Sequence, residues 1–195
     1  QTETDKLILQ DETLDYRVLN LASNTFNENN TAYWHKSVGG YHAAKLRRYQ
    51  EMIEEHISDE MQGLYGAVAD AGGDMNKLDA SEFPVLNMLN TRYFIFPLQG
   101  GQTAPLPNPF ALGNAWFVDE VQYVSNANEE IEAIHGLNPQ QTAVVDKKFE
   151  SIVKSIPSDA MDTIELVAYE PNYLKYEVDS EKGGTVVFSE IYYPG

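Results

Sequence analysis

The sequence predicts an α+β fold, a mixed sheet with packed helices followed by a partial antiparallel β-sandwich, and three observations predict it. From Tyr41 to Ile57 the apolar residues Leu46, Tyr49, Met52, Ile53 and Ile57 recur on one face at helical spacing. Tyr16 to Leu21 and Thr91 to Phe96 are dominated by β-branched, aromatic and leucine side chains without a breaker, and read as buried strands. Beyond Asp162 the pattern is purely β. Strands are expected at Ile164 to Tyr169, Tyr173 to Val178 and Thr185 to Tyr192, with Gly183 and Gly184 closing the last hairpin.

Taken in order, Asn24 to Thr31 is a loop, and its Asn29-Asn30-Thr31 sequon reads as a polar turn. In the Tyr41 to Ile57 helix, His42 shares the apolar face and is expected to be half-buried. Met61 to Ala80 shifts to Gly, Ala and Asp, which suggests a long excursion. Its Asp70, Asp74, Asn76 and Asp79 lack the register of a calcium loop, so a solvated loop is expected. Ser81 can cap a short helix with Pro84 in its first turn, running to about Asn90. Gly100 to Gly113 is read as loop and Asn114 to Val124 as one strand. Asn126 starts and Gly136 stops a short helix, and Thr142 to Asp146 is a strand. The Pro157 region is the expected joint between an α+β domain, residues 1–154, and a β-rich domain, residues 155–195. The turn signal at Pro194-Gly195 suggests that the second domain is truncated.

A formal charge of -17 argues against a nucleic-acid partner. The lack of cysteine removes disulfides, thiolate metal ligands and cysteine nucleophiles together. The apolar runs are too short to cross a bilayer. No nucleophile elbow, zinc helix, Walker loop or dinucleotide turn is present, so no catalytic residue, metal or cofactor is assigned. Glu54 and Glu55 stand at the wrong offset to share a metal with His56, which leaves solvated charges at a helix end.

One stretch, Tyr33 to Tyr49, departs from the acidic background with two of the four histidines and four of the thirteen lysines and arginines. Its helix carries Lys45, Arg47 and Arg48 before Glu51, Glu54 and Glu55, the reverse of the order the helix dipole favours. Free N–H groups just after Gly39-Gly40, with Lys36 and Lys45, describe an anion site. The candidate ligand-binding set is therefore His35, Lys36, Gly39, Gly40, Tyr41, His42, Lys45 and Arg48. The competing reading is that the cations pair with acids elsewhere in the chain.

The phrases YRVLNLASNTFNENNTAYWHKSVGGYHAAKLRRYQEMIEEHI, VLNMLNTRYFI, GNAWFV, TAVVDKKF and SEIYYPG span almost the whole chain. In that order they resemble the extracytoplasmic C-terminal region of YfhO-like bacterial membrane proteins. That family is polytopic and of the GT-C glycosyltransferase type, transferring sugar from a polyprenyl-phosphate carrier outside the cytoplasmic membrane. The resemblance implies an accessory domain on the extracytoplasmic (periplasmic) face. The catalytic acid would lie in the transmembrane portion of the same protein, and the SEIYYPG phrase would continue into further strands. Two roles follow: recognition of an acceptor envelope glycan or the carrier phosphate, or a structural domain packing on the transmembrane portion through the Trp34 and Trp116 region. A carbohydrate-binding module, suggested by the tyrosines and the β tail, is a third. A pocket with Lys36 and Lys45 pointing inward favours recognition; cations already paired favour the structural role.

Overall fold

A computed structural model describes residues 1–191, and the expected end of the last strand at Tyr192, with the Pro194-Gly195 turn, lies outside the described residues. The fold is α+β. Two compact units divide the chain at Ala111/Leu112, whereas the sequence suggested a joint near Pro157. The residues around Pro157 belong to the second unit because Ser158 donates from its N–H (2.9 Å) and hydroxyl (2.8 Å) to the Asp119 carboxylate, and Ser155 Oγ accepts from Val121 N–H.

In the first unit, helix α1 (Glu3–Ile8) opens with a capping box in which Thr2 Oγ1 accepts from Asp5 N–H while the Asp5 carboxylate accepts from Thr2 N–H. A mixed sheet follows, with β1 (Arg17–Asn20) parallel to β2 (Thr91–Pro97) and β3 (Thr103–Pro107) antiparallel to β2. Ile8, Val18 and Ile95 form a buried cluster on this sheet, flanked by Tyr16 and Tyr93. Strand β3 falls in the segment read as loop. Its two prolines are tolerated because β3 is an edge strand, where a missing N–H costs no ladder bond.

The main helix is displaced from its expected place. Residues 41 to 46 are not helical; α3 begins at Arg47, ends at Met52, and continues through a π-helical turn, Ile53–Ile57, into α4, Ser58–Asp70. Half of the expected excursion is thus helix, held by the buried Leu64 and Val68. The reversed charge order loses its force here, because the glutamates stand mid-rod rather than at a C-terminus. His56 is buried at 6% exposure rather than solvated, on the same turn as the buried Ile53 and Ile57. Helix α5, Pro84–Met88, has no cap from Ser81; Glu60 of α4 supplies it instead.

In the second unit the Asn114 to Val124 segment is two strands, β4 (Ala115–Val118) and β5 (Glu120–Val124), in different sheets. Helix α6 (Ala127–Glu132) starts at Asn126, whose side chain accepts from Asn128 and Glu129 N–H, as the sequence indicated. Strand β6 (Thr142–Asp146) pairs parallel to β5, and β7 (Thr163–Glu170) forms an antiparallel hairpin with β8 (Tyr173–Asp179). Strand β9 (Thr185–Phe188) does not close a hairpin with β8 but pairs antiparallel with β4. Gly184 lies where an added Cβ would come within 2.7 Å of the Phe117 ring, so the glycine is there for close packing on β4.

Candidate functional site

The backbone of residues 36–41 is bound to the sheet and the loop beside it rather than open to an anion. Val18 N–H donates to Lys36 C=O (2.9 Å), and Val38 N–H donates to Val18 C=O (3.1 Å), so residues 36–38 form a parallel bridge along the free edge of β1. Gly39 N–H donates to Ser37 Oγ, Gly40 N–H to Thr25 C=O at 2.7 Å, and Tyr41 N–H to Glu28 C=O at 2.9 Å. All three donors expected to face an anion are thus committed within the protein, those of Gly40 and Tyr41 to the loop before α2 (Asn30–Trp34) and that of Gly39 to Ser37. The helix start on which the anion site depends is at Arg47.

The candidate side chains separate. His35 lies buried, its Nε2 3.0 Å from Asp5 Oδ1. Lys36 Nζ lies 2.8 Å from both carboxylate oxygens of Asp15, whose side chain is 5% exposed. Lys45 donates to Phe26 C=O and sits 5.3 Å from the centre of the Phe26 ring. His42 is exposed in a loop rather than half-buried on a helix, its Nδ1 accepting from Ala44 N–H. Tyr41 is 56% exposed, and Arg48 lies in the first turn of α3 with interactions of its own. Tyr49 ties that helix to the bridge by donating to Val38 C=O at 2.6 Å, and burial pushes its hydroxyl up to about 12.

The residues that organise this region were missed in the sequence: Asp5, Asp15 and Thr25 all lie earlier in the chain than the segment they hold. The Thr-x-x-Asp capping pattern at Thr2 and Asp5 was the available signal. Asp5 is held below its ordinary carboxylate range; burial opposes this, but the Thr2 hydrogen bonds and His35 outweigh it. Lys36→Ala is expected to lower unfolding stability by about 1–3 kcal/mol, because it removes the ammonium that donates to both oxygens of the buried Asp15 carboxylate, while Lys45→Ala costs less than about 1 kcal/mol. Urea titration of the two variants checks that ordering. Among the described residues no group of acids and histidines is arranged to hold a metal. Trp116 is half-buried, its indole N–H donating to Pro139 C=O at 2.7 Å.

Comparison with known proteins gave no match to a family model, to a curated protein or to a solved structure.

Proposed function

We propose that this chain is a non-catalytic structural domain of a YfhO-like membrane glycosyltransferase, packing on the transmembrane portion of the same protein at the extracytoplasmic face. The sequence resemblance supplies the family. The observation that favours packing over recognition of the carrier phosphate is the state of the lysines: Lys36 is neutralised by Asp15 and Lys45 rests on Phe26. Neither offers the open positive charge that a phosphate needs. Tyr33 and Tyr41, at 77% and 56% exposure, stand on the same stretch as apolar surface for a protein contact.

Photo-cross-linking in the full-length protein tests this. A photoreactive residue replacing Tyr33 or Tyr41 is expected to cross-link to extracytoplasmic loops of the transmembrane portion. Cells carrying Lys45→Met are expected to keep their envelope sugar composition. Absence of cross-links at both positions, or loss of envelope sugar in Lys45→Met with normal protein levels, overturns the reading.

A further inference from the structure

A concave cavity of about 350 Å³ opens in the first unit beside Asn20, the last residue of β1, and its register partner Ile95 on β2. The topology explains why it is there. Val18 turns its N–H and C=O toward residues 36–38, whereas β2 occupies the opposite edge of β1. Across the sheet the order is 36–38, β1, β2; along the chain it is β1, 36–38, β2. The connections therefore leave in opposite directions, and in open sheets that reversal leaves a crevice outside the carboxyl ends of parallel strands.

The lining is polar, uncharged in the main, and fixed in place. Asn20 Nδ2 donates to Thr31 Oγ1 at 2.9 Å, and Asn20 Oδ1 accepts from Ala22 N–H. Thr103 and Thr4 share a hydroxyl hydrogen bond of 2.6 Å. Asp5, the charged side chain of the lining, has one oxygen on Thr2 and the other on His35. Trp34 completes the wall at 37% exposure, braced by the Tyr33 ring at 4.7 Å in an edge-on arrangement. Among the described residues no hydrogen bond engages the Trp34 indole N–H or the Asn30 carboxamide, so both remain available to a ligand.

We propose that this cavity is a saccharide site that takes a neutral pyranose ring. Such a ring has an apolar C–H face and a rim of hydroxyls. Trp34 offers surface to the first, and the Asn20 and Asn30 carboxamides with the Thr31 and Thr103 hydroxyls offer partners to the second. The volume lies in the range of small-ligand pockets, whose lower end is about 300 Å³. An anionic ligand would meet the Asp5 carboxylate without a lysine or arginine in the lining to offset it. The site goes beyond the packing role and stands on this chain's own geometry, so it is tested on the chain itself and not through cross-linking.

Saturation-transfer NMR with glucose, galactose and N-acetylglucosamine at millimolar concentration is expected to show transfer to the ring protons of at least one sugar. Trp34→Ala is expected to weaken that binding about tenfold and Asn30→Ala about threefold, with Trp116→Phe unchanged. Asn30 is exposed and carries no internal bond, so its variant folds and remains decisive if Trp34→Ala does not. No transfer to any of the three sugars overturns the proposal, as does binding undiminished in Asn30→Ala, or displacement of the sugar by inorganic phosphate.

Discussion

Gly39→Ala is expected to be the most damaging addition of a single methyl group to this protein. A Cβ at that position would sit 2.1 Å from the Thr25 carbonyl oxygen and 2.7 Å from Thr25 Cγ2. The backbone oxygen cannot rotate away: it accepts from Gly40 N–H at 2.7 Å, and the Thr25 hydroxyl donates to Asn20 C=O at 2.6 Å. Relieving the overlap means separating the 36–38 bridge from the loop after β1, with loss of the Gly40 and Tyr41 hydrogen bonds. Overpacking of this kind typically costs about 1–3 kcal/mol, and the rigid acceptor puts Gly39→Ala at or above the upper end. Gly40 sits at φ 106, where side chains are strained, but has only one ordinary contact, Glu28 C=O at 3.8 Å. Gly40→Ala is therefore expected to cost less, about 1–2 kcal/mol from backbone conformation alone. Urea denaturation of the two variants checks the order. Equal and small losses would show that the loop can move away, and would remove the steric account of the Gly39-Gly40 pair.

That account differs from the one the sequence invites, and the difference shows which features were legible. Strands β1, β2, β6, β7 and β8 carry local β-branched and aromatic patterns and lie where the sequence puts them. The helix boundary went astray because Leu46 and Tyr49 are in phase with His42, while the groups that hold Gly40 and Tyr41 out of a helix, Thr25 and Glu28, are more than ten residues away. Helix α4 was hidden by Gly63, Gly66 and several alanines and aspartates, a composition of mixed helix propensity. Burial of Leu64 and Val68 overrides it. The pairing of β9 with β4 joins segments some seventy residues apart, and no turn residue encodes it. In the candidate site the types were legible but the partners were not. A lysine in an acidic chain has many possible carboxylates, and only the fold selects Asp15 for Lys36. The Trp34 cavity was illegible for a related reason: Asn20, Thr31 and Thr103 converge through strand order, not through spacing.

Glu60→Ala is expected to lower stability by about 2–5 kcal/mol, because it leaves two buried N–H groups without acceptors. Helix α5 starts at Pro84, which has no N–H, and the next two donors, on the fully buried Val85 and Leu86, each reach one Glu60 oxygen at 2.9 Å. Asn87 N–H returns to Phe83 C=O at 3.2 Å, so the carboxylate accounts for the two first-turn donors that the local chain leaves over. Burial pushes Glu60 up to about 7, and the two N–H groups pull it down only in part. A raised folded-state pKa means that the folded protein holds a proton that the unfolded chain has released. Between its ordinary value of 4.5 and about 7, stability should therefore fall as pH rises, by up to about 3 kcal/mol in total, and then level off. Asp11 works in the opposite sense. Burial raises it, but hydrogen bonds from Thr13, Arg92 and Tyr93 outweigh that and hold it well below its ordinary 3.8, so its stabilisation is present above that value and lost in stronger acid. The combined contribution of these two groups is therefore greatest between the ordinary values of Asp11, 3.8, and Glu60, 4.5. Glu60→Gln can accept only one of the two N–H groups and carries no titrating proton. It is expected to cost about 1–3 kcal/mol near neutrality and to flatten the slope between pH 4.5 and 7. Urea midpoints across that range decide the matter: a slope that survives in Glu60→Gln assigns the titration to another group and leaves Glu60 with the capping role alone.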